Sequence, residues 1–110
     1  MKRGEVWWAQ LPLPVGRRLV VLLSRDEAYS VRNAVTVAEV TRTIRKIPVE
    51  VLLGADDGLP HKCVVNVDTL LTIRKDLLIE RIALLKSDKI ALMEKAIGFA
   101  LGIEGLEGKK

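Results

Sequence analysis

Along the first 85 residues the apolar positions come in short runs broken by turn-forming residues. "EVWWAQL" (Glu5–Leu11) mixes β-branched and aromatic residues before "PLPVG", which predicts a strand and then a turn. "RLVVLLS" (Arg18–Ser24) is a continuous aliphatic run, the pattern of a strand covered on both faces. "RDEAYSVRN" is polar and suits a loop or one helical turn, and "AVTVAEVT" (Ala34–Thr41) predicts a third strand. A basic connection, "RTIRKI", leads to Pro48 and the strand "VEVLL". "GADDGLPHK" has the Gly, Asp and Pro density of a surface loop. "CVVNVDTLLTI" (Cys63–Ile73) predicts a long or bent strand, and "ERIALL" a shorter one.

At Ser87 the period changes. Ile90, Met93, Ala96, Ile97, Ala100 and Leu101 follow helical spacing, with Ser87 read as N-cap and Gly102 as the stop. Five to seven short strands followed by one amphipathic helix predict a small, strongly bent antiparallel barrel plugged by that helix. The domain spans 1–103, and 104–110 ("EGLEGKK") reads as a flexible tail. The apolar stripe on the helix is core or a subunit seam rather than a cofactor box.

Composition sharpens this picture. A chain of 110 residues has room for one core, and 49% apolar residues is high for a small monomer, so a homodimer is expected. No apolar run reaches the roughly 18 residues a bilayer requires, and "MKRGEVWW" carries no signal-peptide hydrophobic region. A single cysteine, Cys63, excludes a disulfide framework and a thiolate metal cluster, so a reduced cytoplasm is expected. The formal net charge of +4 is uneven. Residues 1–46 hold nine Lys/Arg against four acids, and residues 47–110 hold nine against ten. The basic half is either a face for a polyanion or a solvated rim of strand ends.

Several chemistries fall away. The chain has no glycine-rich phosphate loop and no CxxC, and one histidine with one cysteine leaves zinc only scattered carboxylates. His61 sits in a Pro/Gly loop and reads as solvated rather than as a catalytic base; Asp56-Asp57 precedes a glycine and reads as a turn. Arginine and hydroxyl remain. Arg18 opens one core strand and Thr41 closes the next, so antiparallel pairing would bring the two together. Arginine keeps its charge and presents a planar fork of donors that suits a phosphate gaining charge during displacement. RNA supplies its own nucleophile, the 2′-hydroxyl, so transesterification to a 2′,3′-cyclic phosphate and a 5′-hydroxyl is within reach of such a pair. Spacing alone does not single out that reaction.

Taken in order, "RGEVWWA", "GRRLVVLLSRDEAY", "AVTVAEVTRT", "GLPHKCVVNVDTLLTI" and "ERIALLKSDKIALMEKAIGFALG" resemble the MazF/PemK (Kid) family of toxin endoribonucleases over residues 2 to 103. The resemblance implies an SH3-like antiparallel barrel of the CcdB/MazF type and a homodimer. It also implies metal-independent, sequence-specific cleavage of single-stranded RNA without a cofactor, and neutralisation by a small acidic MazE-like antitoxin. By position, the family's catalytic arginine falls on Arg18 and its catalytic threonine on Thr41.

Three departures stand out. The proline that usually follows the catalytic arginine is Leu19, the proline two before the threonine is Glu39, and the loop "PLPVG" is short. Leu19 removes a residue that would hold Arg18 extended. Glu39 shares a face with Thr41 and could act as a base, pair with Arg18, or be solvated. Arg17 reads as a backbone contact or a solvated residue. Arg42, Thr43, Arg45 and Lys46 form a basic hairpin that either tracks RNA phosphates or is a solvated turn. Asn66, Asp68 and Thr69 lie on the strand that borders the substrate groove in relatives. Trp7 and Trp8 face opposite sides, one as core and the other sealing the dimer or stacking a base. Two other readings remain: a gyrase-binding toxin similar to CcdB, which needs no Arg18/Thr41 pair, and an impaired relative that binds RNA or antitoxin only.

Overall fold

The computed structural model describes residues 1–103, so the tail expected at 104–110 lies outside the described residues. Six strands form one antiparallel sheet: β1 (Glu5–Gln10), β2 (Arg17–Leu22), β3 (Ala34–Thr41), β4 (Glu50–Leu53), β5 (Cys63–Arg74) and β6 (Leu78–Leu84). Their order is β4-β5-β3-β2-β1-β6. The sheet curls into a half-barrel, with a single helical turn α1 (Ala28–Val31) between β2 and β3 and a C-terminal helix α2 (Ser87–Leu101) packed on β4 and β5.

β2 shows why its sequence is aliphatic throughout. Leu19 and Val21 face a core that includes Val6, Ala38, Val65, Met93 and Ala96, while Val20 and Leu22 face a second core with Ala9, Tyr29, Val37 and Ile73. Successive strand residues point to opposite faces, so a strand between two cores has no polar side to show. Val20, Val21 and Leu22 have no solvent exposure, and each such side chain contributes about 1.5–3 kcal/mol through burial.

Local chemistry sets the turns. "PLPVG" closes a tight β1–β2 connection, with the Leu11 N–H donating to the Gly16 carbonyl at 2.9 Å and Gly16 at φ 75°. β5 is bent because its register with β3 slips between Ala38↔Leu70 and Glu39↔Asn66, leaving residues 67–69 as a bulge. The Asn66 side-chain oxygen accepts the Asp68 N–H at 2.9 Å, and the Val67 N–H donates to the Val49 carbonyl at 2.9 Å, so the bulge keeps its backbone satisfied. The slip lets β5 pair with β4 through Cys63–Asn66 while it stays beside β3.

The α2 cap differs from the expectation. Lys86, not Ser87, is the N-cap, and no side chain caps the first turn. The helix is held by packing instead, with Met93 and Ala96 buried in the core. Gly102 ends it as expected, left-handed at φ 69°, with the Ile103 N–H returning to the Gly98 carbonyl at 2.9 Å. Among the described residues no helix is long and apolar enough to cross a membrane.

Candidate active site

The β-ladder determines which side chains meet. Ala9 pairs with Arg18 across β1–β2, and Thr41 pairs with Val64 across β3–β5. The last β2–β3 pair is Leu19↔Val40, so Arg18 and Thr41 lie one step beyond it, on the same face and on neighbouring strands. Both line a cleft of about 420 Å³ at the open end of these strands. Trp8, Arg17, Leu19 and Val40 share its walls, with Arg42 and Thr43 just after β3 and Pro60, His61 and Cys63 at the entry to β5.

The cleft carries one sign of charge. Three guanidiniums, those of Arg17, Arg18 and Arg42, line it together with His61, and none of its lining residues is Asp or Glu. Such a concentration attracts a polyanion. The two neighbouring arginines are used differently. The Arg17 guanidinium lies 4.6 Å from the centre of the Trp8 ring and 3.9 Å from Glu80 on β6. Arg18 has no acidic partner among the described residues, and one of its terminal nitrogens donates to the Arg17 carbonyl at 3.0 Å. That bond orients the fork and leaves most of its five donors for a ligand.

Thr41 is engaged on one side only. Its hydroxyl oxygen accepts the Thr43 N–H at 3.1 Å, which turns the chain out of β3, and the hydroxyl proton remains to donate. Glu39 is half-buried on the same face as Thr41, pairs through its backbone with Val20 and Asn66, and forms no ion pair with Arg18 among the described residues. The geometry that proline would impose at position 19 comes instead from the ladder, where Leu19 pairs with Trp8 on one side and Val40 on the other. Cys63 is buried at the foot of the cleft. Its thiol is pushed up by burial and then by Asp57, against a smaller opposing effect of Arg42, so it is a packing residue rather than a nucleophile.

The remaining sequence candidates divide. Arg42 and Thr43 join the cleft, whereas Arg45 and Lys46 do not. They lie exposed on the following loop, where both backbone N–H groups donate to one carboxylate oxygen of Glu50 at 2.9 Å. Asn66 is buried and its side chain is committed to the bulge, so it does not border the cleft; Asp68 and Thr69 are exposed on that bulge. Both tryptophans are half-buried. Trp7 packs on the second core and donates to Glu5 at 2.8 Å, and Trp8 carries Arg17. The sequence offers one tryptophan as core and the other for stacking a base or sealing the dimer without distinguishing them, and it does not point to His61 as a cleft residue. The signal for His61 was its place two residues before β5, because β5 starts beside the end of β3.

A wider depression lies elsewhere, about 790 Å³ between the 54–62 loop and the start of α2. There Lys62, Lys86 and Lys89 are offset by Asp56, Asp57 and Asp88, and Lys89 already lies 3.5 Å from Asp57. It therefore offers no surface of one sign. Among the described residues no three His, Cys, Asp or Glu side chains are grouped to hold a metal ion.

Residues 2–101 match the sequence profile of the PemK-like, MazF-like toxins of type II toxin–antitoxin systems. The chain belongs to that family. A probable endoribonuclease, MazF5, of Mycobacterium tuberculosis (strain ATCC 25618 / H37Rv) is 35% identical over 100 residues, covering 90% of this chain and 91% of that protein. The solved structure of Mycobacterium tuberculosis toxin MazF-mt6 superposes with a TM-score of 0.84 at 31% identity, over 91% of this chain and 98% of that one. An endoribonuclease in complex with its cognate antitoxin, from a mycobacterial species, superposes equally well at 0.84 with 26% identity, over 94% and 96%. The half-barrel with its C-terminal helix is thus the fold of MazF-like toxins, and the Arg18/Thr41 cleft is part of this MazF-like chain.

Proposed function

We propose that this MazF-like toxin is an endoribonuclease that cleaves single-stranded RNA at a short sequence by metal-independent transesterification. The 2′-hydroxyl attacks the adjacent phosphorus, the bond to the 5′ oxygen breaks, and the products carry a 2′,3′-cyclic phosphate and a 5′-hydroxyl. Arg18 clamps the non-bridging phosphate oxygens as their charge grows, and Thr41 donates a further hydrogen bond to them. Arg42 and Thr43 extend the contact along the backbone, Arg17, Arg45 and Lys46 add peripheral phosphate contacts, and Asp68 and Thr69, exposed on the bulge, read base edges. The observation that carries this reading is the convergence of an acid-free guanidinium and a free hydroxyl proton on adjacent strands of one basic cleft. The names of its relatives support the same reading.

The proposal extends to partners. The protein acts in the cytoplasm as a homodimer of a domain spanning 1–103. Self-association is supported by large apolar side chains left exposed, among them Ile79, Leu84, Leu92, Phe99 and Leu101. An acidic MazE-like antitoxin neutralises it, supported by the acid-free cleft and by the relative solved with its cognate antitoxin. The test is incubation with a long, mostly unstructured RNA in excess EDTA, followed by mapping of the new ends. Cuts at one short sequence with 5′-hydroxyl ends are expected. Intact RNA, or cleavage that stops when EDTA is added, would overturn the reading.

A further inference from the structure

The transesterification needs a proton removed from the 2′-hydroxyl, and the Arg18/Thr41 pair is poorly suited to take it. A guanidinium is an acid of very high pKa and has no lone pair to accept a proton, and a threonine hydroxyl is a weak base. Imidazole is the ordinary group for this task, because as a side-chain class it changes protonation between pH 5 and 8. The chain has one histidine, and the fold places it in the reacting cleft.

The placement has a structural cause. Val64 pairs with Thr41, so the strand entering β5 passes directly beside the end of β3. The segment before it divides between two depressions. Lys62 lines the mixed-charge one, His61 lines the Arg18/Thr41 cleft, and Pro60 forms part of the wall of both. The other charged and titratable residues that line the cleft with His61 are Arg17 and Arg18 from β2, Arg42 after β3, and Cys63 from β5. No carboxylate lines the cleft to perform the same step. Elimination and geometry therefore agree on one residue.

We infer that His61 is a catalytic residue of the RNA cleavage reaction, the general base that takes the proton from the attacking 2′-hydroxyl. This rests on the ribonuclease reading above. In the step, the 2′ O–H proton passes to a ring nitrogen of His61 and the 2′ oxygen forms its bond to phosphorus. The bond from phosphorus to the 5′ oxygen breaks with its electron pair on that oxygen. The 5′ oxygen takes a proton from solvent, and the imidazolium returns its own to solvent, so the reaction balances without a metal or redox partner. Arg18 and Thr41 hold the phosphate while His61 addresses the sugar beside it.

The test is single-turnover cleavage of one RNA that the protein cuts, from pH 5 to 9, by the wild type, His61→Gln and His61→Ala. Binding of the same RNA with a 2′-deoxy residue at the cut site is measured alongside. The wild-type rate should rise with pH along an acidic limb. Both variants should lose on the order of 10²–10⁴-fold in rate and the acidic limb with it, while binding the deoxy analogue within about threefold of wild type. Added imidazole should restore cleavage to His61→Ala, an effect that refolding or tighter binding would not produce. Variants that cut at the wild-type rate with the wild-type pH profile would overturn this assignment alone. A wild-type rate that falls as pH rises from 5 to 9 would overturn the role of base. A wild-type protein that cleaves no RNA would overturn the assignment and the ribonuclease reading together.

Discussion

Arg17 lies with its guanidinium 4.6 Å from the centre of the Trp8 ring, while Arg18 beside it lines the cleft with no acidic partner among the described residues. Neighbouring residues on a strand face opposite ways, so two arginines that line one cleft meet different partners. Arg17 is held by an aromatic face and, at 3.9 Å, by Glu80. Arg18 is held by a single backbone carbonyl and keeps its remaining donors. The pair is thus one anchor and one clamp.

Replacing the anchor should matter less than replacing the clamp. Arg17→Ala loses a cation–π contact of about 0.5–1 kcal/mol at an exposed site. Cleavage is expected to fall less than about tenfold, with a small drop in melting temperature. Parallel thermal melts and single-turnover rates check this. A loss as large as that for an Arg18 variant would show that Arg17 is also part of the clamp.

Thr41 is expected to act through its hydroxyl alone. Thr41→Val keeps the shape but removes both the acceptor for the Thr43 N–H and the donated proton. One hydrogen bond to a charged group is worth about 1.5–3 kcal/mol, so the rate should drop about 10–100-fold, and Thr41→Ser should recover most of it. Equal activity of the Val and Ser variants would remove Thr41 from the mechanism.

Much of this arrangement was readable along the chain, and the exceptions share a cause. β3 runs from Ala34 to Thr41 as the apolar alternation indicates, and α2 starts at Ser87 where the period changes. Arg18 and Thr41 could be paired in advance because strand ends follow from local pattern. Asn66 could not be placed, because a bulge at 67–69 is a property of two strands in register and not of either sequence. His61 was set aside for a similar reason. The loop residue is exposed, as its Pro/Gly surroundings indicate, and only the pairing of β5 with β3 shows that it also lines the cleft beside Thr41. The Ser87 cap failed because packing of Met93 and Ala96 holds the helix without one.

Tyr29 gives the fold an alkaline limit. Its hydroxyl donates to the Ser24 carbonyl at 2.9 Å, and its pKa is pushed up to about 12, first by burial and then by the Asp26 carboxylate. The folded state therefore holds the phenolic proton where the unfolded chain, near its ordinary 10.0, releases it. This contribution is complete below about pH 10 and disappears as pH rises through about 12. Urea titrations at pH 7, 10 and 11.5 should show Tyr29→Phe less stable at neutrality by about 1 kcal/mol, for the lost hydrogen bond, but with a shallower alkaline decline. The same decline in wild type and variant would contradict this origin.

The central claim is that the clamp at Arg18 stabilises charge on a phosphate being displaced. It is tested most directly by comparing Arg18→Ala and Arg18→Lys with wild type on one RNA, with cleavage under single turnover and binding of a 2′-deoxy analogue measured separately. The expected result is a rate loss on the order of 10²–10³-fold for Ala, partial recovery at most for Lys because it lacks the planar fork, and binding reduced far less than rate. Cleavage by Arg18→Ala at the wild-type rate, with the same 5′-hydroxyl ends, would contradict it.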